Sequence, residues 1–302
     1  MLDNDFSHEI RLRAPFDLAL TTAVARRLPS NILYPLHDGE LRVVMSLDNE
    51  ATLIAARQTS PQTVVYRALG AALSDGRQAT VEANLRRLLG LDVDLAPLNT
   101  LLAREPVIGP LARRLSGLRP PRFLSLWETF VQVIPFQQVS LAAAMTMLNR
   151  MVMAYGPRVR FEGEEYRGAP PPDRMLSGAE AEMRACGLSA AKVMALRGCA
   201  EWLMAGKISE DELAGLSDEE AAQRLRALPG IGPWSAQLVL LRGFGRLGNF
   251  PAGDSGAAKG MREVFEAASN PEAAAAEALE RLGEWRGYLY FMLLGRRILG
   301  LG

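Results

Sequence analysis

Two patterns of apolar and polar residues divide this chain near residue 95. The first part holds short runs that alternate or are continuously apolar, as β-strands are, at residues 9–13, 41–45, 51–56 and 63–66. Asp48 and Asn49 lie between the second and third runs and are typical of a turn. Two helices are also predicted here, from Pro15 through Ala25 and over 75–89, because apolar residues recur on one face.

From residue 95 onward the spacing of apolar residues is helical nearly throughout. Helices are predicted at residues 98–102, 108–115, 124–133, 140–153, 178–186, 271–282 and 285–298. Ser140 and Ser189 are predicted N-caps of the helices that follow them. The pattern therefore predicts an α+β protein, with a small N-terminal α/β domain at residues 1–94 and an all-α domain at residues 95–302.

The most informative turn lies at residues 228–232, between two helical patterns. Ser217 and Glu220 form a capping-box pattern before it, and Pro233 suits the first turn of the helix after it. Gly230 and Gly232 allow positive φ and close backbone approach, so the free amides of the second helix could bind a phosphate. An ordinary helix–helix turn is the equally weighted alternative for these residues alone.

A single carboxylate, Asp254, follows the second helix and is surrounded by small residues. It could cap the next helix, which is the simple structural interpretation. It could also take part in chemistry beside the turn. The two roles are compatible.

The stretch from residue 228 to Asp254, with its Pro-Gly-Ile-Gly turn and Phe-Pro-Ala-Gly-Asp run, resembles the signature of the helix-hairpin-helix DNA glycosylase superfamily. It is most similar to the AlkA-type 3-methyladenine DNA glycosylase II branch. Bifunctional members carry a catalytic lysine where this chain has Trp234. The resemblance therefore implies a monofunctional enzyme in which Asp254 is catalytic and no lyase chemistry occurs.

Two further segments share this resemblance. Residues 134–140 are similar to the family motif that supplies the residue pushed into the duplex, which places Gln137 and Gln138 at DNA, although Pro135 and Phe136 depart from the usual Leu-Gly. A polar helix end is the alternative. The order of elements in residues 1–94 resembles the TBP-like N-terminal domain of AlkA-type enzymes, and an unrelated accessory domain is the alternative.

The resemblance also assigns roles around the turn. It implies DNA contacts from Gly230, Ile231, Gly232 and Ser235, and a monovalent cation, Na⁺ or K⁺, on backbone carbonyls of Arg226, Leu228 and Gly230. Trp234 is expected to stack on the flipped, electron-poor base, with packing in the domain core as its alternative. The family's further pocket aromatics are replaced by Leu238 and Leu294.

Three basic residues near this stretch are candidates for additional phosphate contacts. They are Arg242, Arg246 and Lys259. For each of them, a solvated surface charge is the favoured interpretation.

Composition limits the partners and the cofactors. Basic and acidic residues balance at 34 each, so bulk charge would not hold the protein on DNA, although a local positive face still could. Cys186 and Cys199 are too few for a four-cysteine iron–sulfur cluster, and no zinc site is indicated. No cofactor is expected beyond the hairpin cation. We expect a cytoplasmic monomer without a membrane span.

The expected function is removal of alkylated purines from double-stranded DNA after base flipping. A glycosylase for hypoxanthine, uracil or an oxidised purine is the first alternative. A non-catalytic hairpin protein that binds damaged DNA is the second, and Asp254 argues against it.

Overall fold

The computed structural model describes residues 8–13 and 15–301 and has a mixed α+β fold, as predicted. The strands are β1 (His8–Arg11), β2 (Leu36–His37), β3 (Glu40–Leu47), β4 (Glu50–Ser60), β5 (Thr63–Ala68), β6 (Arg158–Phe161) and β7 (Glu164–Arg167). The helices are α1 (Leu18–Arg26), α2 (Asp75–Leu89), α3 (Ala96–Leu102), α4 (Ile108–Arg114), α5 (Leu126–Val133), α6 (Leu141–Tyr155), α7 (Pro172–Ser177), α8 (Glu180–Ala185), α9 (Ala190–Met204), α10 (Glu210–Ala214), α11 (Asp218–Arg226), α12 (Pro233–Phe244), α13 (Ser255–Val264), α14 (Pro271–Leu282) and α15 (Arg286–Ile298). Within the described residues, no helix is both long and apolar enough to cross a lipid bilayer.

The strands β1 to β5 form one antiparallel sheet in the order β1-β5-β4-β3-β2. Asp48 and Asn49 connect β3 to β4 and have φ angles of 50° and 65°, a left-handed conformation that these two residue types tolerate. The predicted runs at 41–45, 51–56 and 63–66 lie inside β3, β4 and β5. Alternation and turn chemistry were therefore sufficient to place four of the five strands, whereas β2, which has only two residues, was not predicted.

Periodicity placed the long helices equally well. Helix α2 has the predicted bounds, and its buried side chains are those of the predicted face, Val81, Leu85, Leu88 and Leu89. Helix α14 also has the predicted bounds. The side chains of Ser140 and Ser189 accept hydrogen bonds from backbone amides in the first turns of α6 and α9, as N-caps do.

The expectation that residues 95–302 are all-α needs one correction, the β-hairpin formed by β6 and β7. Glu162 and Gly163 form its turn, with φ angles of 50° and 81°. Val159, Phe161 and Tyr166 pack against a small apolar cluster on the outer face of the N-terminal sheet. The strands are only four residues long, so their alternating pattern was too short to stand out beside the helical signal.

The N-terminal sheet and the helical part share one continuous core of buried side chains. Helix α1 packs against both α2 and α15. The Tyr34 hydroxyl donates to the buried Glu128 carboxylate, and the Gln132 amide bonds to both groups. These contacts fix the loop that follows α1 against α5. The end of α1 is held beside α5 by Arg27, whose Nη1 donates to the Gln132 carbonyl at 3.1 Å, and this residue also lines the cleft of the candidate site.

Candidate active site

The turn at residues 228–232 connects α11 to α12 as a helix-hairpin-helix. The capping box is present, because Ser217 accepts from the Glu220 amide and the Glu220 carboxylate accepts from the Ser217 amide. Gly230 adopts φ +72°, which glycine does at little cost. Gly232 is the N-cap residue of α12, so free amides follow it in the first turn of that helix.

The space around the two hairpin glycines differs. A Cβ on Gly230 would lie 2.5 Å from the Cβ of Ala195, so α9 leaves no room for a side chain there. A Cβ on Gly232 would meet nothing within 4 Å. Gly230 therefore serves internal packing, whereas Gly232 borders open space immediately before the free amides of α12. Ile231, between them, buries its side chain and leaves only its backbone for a ligand.

Asp254 is the N-cap of α13 and also faces the candidate site. Its Oδ1 accepts from the Ala257 amide at 2.8 Å, and its Oδ2 accepts from Nε1 of Trp234 at 3.1 Å. The carboxylate is half-buried. Both of its oxygens are thus held in place while the group still borders the cleft, so capping and a chemical role coexist.

An open cleft of about 1680 Å³ lies in front of the hairpin. It is larger than the roughly 300–1,000 Å³ of an ordinary small-molecule pocket, as suits a macromolecular substrate. Every residue to which the sequence assigned a site role lies along it: Gln137, Gln138, Arg226, Leu228, Gly230, Ile231, Gly232, Trp234, Ser235 and Asp254. Trp234 is half-buried at the start of α12 and forms part of the wall, so it is not an ordinary core tryptophan.

The two neighbouring glutamines have different surroundings. Nε2 of Gln137 donates to the Gly230 carbonyl at 2.8 Å and contacts Oγ of Ser235 at 2.9 Å. Gln137 thereby braces its loop against the hairpin. Gln138 is exposed and has φ +54°, an uncommon conformation for a residue other than glycine. Of the pair, Gln138 is the side chain free to project outward.

Lys192 holds the same loop from the other side. Its ammonium donates to the Pro135 carbonyl at 2.8 Å, at the 3-10 turn that precedes Gln137. Burial lowers the pKa of Lys192. The lysine is thus a positioning residue beneath the glutamine loop, in the first turn of α9.

The carbonyls proposed for a cation are partly engaged. The Gly230 carbonyl accepts from Gln137, and the Leu228 carbonyl accepts from the Ile231 amide at 3.2 Å. A carbonyl oxygen has two acceptor positions, so one remains on each. No cluster of three metal-binding side chains occurs in residues 8–13 and 15–301, so any cation at this turn would depend on backbone oxygens.

Both cysteines are buried and unpaired. Burial raises the pKa of the Cys199 thiol to about 12 and also raises that of Cys186. They are packing residues, as predicted.

Of the three candidate phosphate contacts, Arg242 is fully buried, so both the phosphate contact and the favoured interpretation as a surface charge are wrong for it. Its position on α12 lies on the core face, where it stacks on Phe123 with its Cζ 4.5 Å from the ring centroid. Arg246 pairs with Asp218 at 3.0 Å. Lys259 remains exposed and lines the cleft.

Three further cleft residues were not found by sequence reasoning. Phe136, Tyr290 and Arg27 all line the cleft. Arg27 comes from the end of α1, far away in the chain, and no motif surrounds it. Burial raises the pKa of the Tyr290 phenol, so this aromatic wall stays neutral. The cleft thus contains more aromatic surface than the leucines at positions 238 and 294 indicated.

A model of the HhH-GPD superfamily of base excision DNA repair proteins matches residues 131–284, just over half of the 302-residue chain. A DNA-3-methyladenine glycosylase of Bacillus subtilis (strain 168) is 22% identical over 289 residues, which cover 94% of this chain and 95% of that protein.

Solved structures of similar shape agree on the fold. A 3-methyladenine DNA-glycosylase from Archaeoglobus fulgidus superposes with a TM-score of 0.82 at 24% identity, over 96% of this chain and 98% of that one. Clostridium acetobutylicum 8-oxoguanine glycosylase/lyase, in complex with double-stranded DNA containing cytosine opposite 8-oxoG, superposes with a TM-score of 0.74 at 16% identity, over 99% and 100% of the two chains. The matched family segment contains the glutamine loop, the hairpin and Asp254, and the chain therefore belongs to the HhH-GPD superfamily of base excision DNA repair proteins, with AlkA-type 3-methyladenine DNA glycosylases among its relatives.

Proposed function

We propose that this protein is a monofunctional DNA glycosylase that hydrolyses the N-glycosidic bond of alkylated purines of the 3-methyladenine type. The observation that carries this proposal is Asp254, a half-buried carboxylate at the cleft whose two oxygens are fixed by Ala257 and Trp234. The name of the Bacillus subtilis relative supports the lesion class.

Hydrolysis of this N-glycosidic bond requires few catalytic groups from the protein. As the bond between C1′ and the base breaks, positive charge develops on the sugar, and a carboxylate beside it stabilises that charge. Water then adds to C1′ and loses a proton. Asp254 is suited to both steps, stabilising the sugar and orienting the water. A base that is already cationic leaves as a neutral molecule and needs no acid from the protein.

The expectation that lyase chemistry does not occur is supported by where the lysines lie. By the sequence resemblance, Trp234 stands where bifunctional members of the superfamily carry a catalytic lysine. Of the lysines along the cleft in the described part of the chain, Lys192 is bound to the Pro135 carbonyl and Lys259 lies 3.8 Å from Glu263. Neither lysine stands at the position of Trp234, whose side chain is hydrogen-bonded to the Asp254 carboxylate. We therefore expect an intact abasic strand as the product.

Double-stranded DNA with a damaged base is the proposed partner, bound by a monomer in the cytoplasm. The amides after Gly232, with Ser235, would bind a phosphate, and Gln138 would fill the gap left by the flipped base. A Na⁺ or K⁺ ion on the carbonyls of Arg226, Leu228 and Gly230 would add positive charge beside that phosphate.

Two alternatives stay open. The first is a glycosylase for hypoxanthine, uracil or an oxidised purine, which the fold similarity to a glycosylase/lyase keeps in view. The second is a non-catalytic protein that recognises damaged DNA. It predicts tight binding to lesion duplexes without release of any base.

A panel of duplexes, each with one lesion, tests the proposal. Free base is measured by chromatography, and strand breaks are measured with and without alkali. Release of 3-methyladenine, with breaks only after alkali, is the expected result. Breaks without alkali would show lyase activity. Release of a different base alone would favour the first alternative, and binding without release of any base would favour the second.

A further inference from the structure

The ammonium of Lys192, in the first turn of α9, is bound to the glutamine loop, residues 134–140. It donates to the Pro135 carbonyl at 2.8 Å, and the residue is only 8% exposed. Burial lowers the pKa of Lys192, and no carboxylate in residues 8–13 and 15–301 forms an ion pair with it. A buried cation without a counter-charge is destabilising by itself, which points to a role for its contact with the loop.

The same side of α9 also packs against the hairpin turn. Ala195 follows Lys192 by three residues, and its Cβ would lie 2.5 Å from a Cβ placed on Gly230. Gly198 follows by three more, and a Cβ placed on it would lie 2.8 Å from Cγ of Pro229. Residues three apart lie on one side of a helix, so a single row of α9 residues connects the glutamine loop to the hairpin turn.

The conformation of the glutamine loop depends on such anchors. Gln138 has φ +54°, and residues other than glycine keep this conformation only where their surroundings fix it. Before Gln138, Lys192 holds the Pro135 carbonyl. After Gln138, the Ser140 hydroxyl caps α6 by accepting from a backbone amide of its first turn. The exposed side chain of Gln138 is thus held between two fixed points.

We propose that Lys192 is a positioning residue that couples binding of the DNA backbone at the hairpin to insertion of Gln138 into the duplex, with α9 as the rigid spacer between the two. The proposal rests on the glycosylase function proposed above and deepens it. It assigns to one buried cation a step that precedes the chemistry at Asp254, the opening of the base pair that contains the lesion.

The cost of that step depends on whether the lesion is paired. Extruding a base breaks its stacking and its pairing, and the cost is smaller when the base has no partner. A loosened loop would hold Gln138 less often in the position that fills the gap, so a paired lesion would return to the stack before its glycosidic bond breaks. A lesion without a partner has less need of Gln138, and Asp254 and Trp234 stay in place for it.

The test compares two duplexes under single-turnover conditions. One carries 7-methylguanine opposite cytosine, and the other carries it in a one-nucleotide bulge, which has no opposing base. A 2-aminopurine next to the lesion reports by its fluorescence when the neighbouring base leaves the stack. Binding to an undamaged duplex reports the hairpin contact separately.

Four variants accompany the wild type. Lys192→Met removes the donor and keeps an unbranched chain, whereas Lys192→Arg keeps a cationic donor at the same place. Ala195→Gly removes the contact at the other end of the α9 row. Lys207→Met is the matched control, because Lys207 is exposed, lies beyond the end of α9 and does not line the cleft.

We expect Lys192→Met to slow release from the paired lesion by about tenfold or more, and release from the bulge by less than about threefold. The 2-aminopurine signal should fall in the same variant, while affinity for the undamaged duplex changes by less than about twofold. Lys192→Arg should restore most of the rate on the paired lesion. Ala195→Gly should raise the ratio of the bulge rate to the paired rate, and Lys207→Met should leave it unchanged.

Equal slowing on both duplexes would overturn the proposal, because Lys192 would then only support the fold. An unchanged ratio for Lys192→Met, or an equal shift for Lys207→Met, would overturn it as well. If Lys192→Met did not fold, a wild-type ratio for Ala195→Gly would contradict the spacer. Failure of the proposed function has a different signature: the wild type releases no base from either duplex, while the 2-aminopurine signal still depends on Lys192.

Discussion

The indole of Trp234 donates to the Asp254 carboxylate, with Nε1 3.1 Å from Oδ2. The hairpin helix α12 and the carboxylate at the start of α13 are therefore joined directly, although 20 residues separate them. Trp234 is thus both a wall of the cleft and a hydrogen-bond donor that orients the candidate catalytic group.

This contact predicts a measurable effect for Trp234→Phe. The variant keeps an aromatic wall and loses the Nε1 donor. A hydrogen bond to a charged group contributes about 1.5–3 kcal/mol, so base release in single turnover should slow by roughly 10–100-fold. An unchanged rate would show that the contact does not orient Asp254 during the reaction.

Alanine substitutions at the two hairpin glycines, Gly230 and Gly232, form a matched pair of tests. Gly230→Ala places a Cβ 2.5 Å from that of Ala195 at φ +72°, and should cost about 1–3 kcal/mol of unfolding free energy. Gly232→Ala meets nothing within 4 Å and should cost less than about 1 kcal/mol. It should nevertheless weaken DNA binding, because the new methyl group occupies the space in front of the amides.

Denaturant titration and binding to a fluorescent duplex separate the two glycine effects. If Gly232→Ala bound DNA as the wild type does, the phosphate site would have to lie elsewhere.

The two glutamines should also behave differently. Gln137→Ala removes contacts to the Gly230 carbonyl and to Ser235, so it should lower stability by about 1 kcal/mol and reduce base release as well. Gln138→Ala should leave the melting temperature unchanged and slow base release from paired lesions. The opposite pattern, with Gln138 needed for stability, would assign the plug role to another residue.

The buried carboxyl of Glu128 predicts how the free energy of unfolding depends on pH. Burial raises the pKa of this carboxyl, and hydrogen bonds from Tyr34 and Gln132 oppose the shift in part. Because the folded pKa is the higher one, the folded state binds more protons, and wild-type stability should fall as pH rises above the unfolded value of about 4.3. Glu128→Gln, which cannot ionise, should lack that fall and gain stability relative to the wild type as pH rises above that unfolded value.

Parallel pH profiles of unfolding free energy for Glu128→Gln and the wild type would contradict this account. Glu128→Ala is the contrasting change. It leaves the Tyr34 hydroxyl and the Gln132 amide without their buried acceptor, which should cost about 1–3 kcal/mol below about pH 4, where the wild-type carboxyl is protonated.

Local patterns were enough to predict most strands of the sheet, the long helices, and the caps and the turn of the hairpin. Ser217, Gly230 and Asp254 carry signals within a few positions of themselves, in caps and turns, and the structure places them as expected. Such features depend on neighbours in sequence, which is why sequence reasoning found them.

The parts that were missed depend on contacts between distant segments. Arg27 and Tyr290 come from α1 and α15, which pack together only in the folded chain. Arg242 looks like an ordinary surface charge in sequence, and only the packing of α12 buries it. The β6–β7 hairpin has strands of four residues, and its burial against the outer face of the sheet is a tertiary effect.

The central claim is that Asp254 makes the hairpin cleft a glycosylase site. The most direct test measures release of 3-methyladenine from methylated duplex DNA by the wild type and by Asp254→Asn, with DNA binding measured in parallel. Asparagine also caps helices well, so the variant should fold and bind DNA. We expect wild-type release and a loss of about 10²–10³-fold or more in the variant. Equal release by both proteins would contradict the role of Asp254, and no release by either would contradict the proposed lesion.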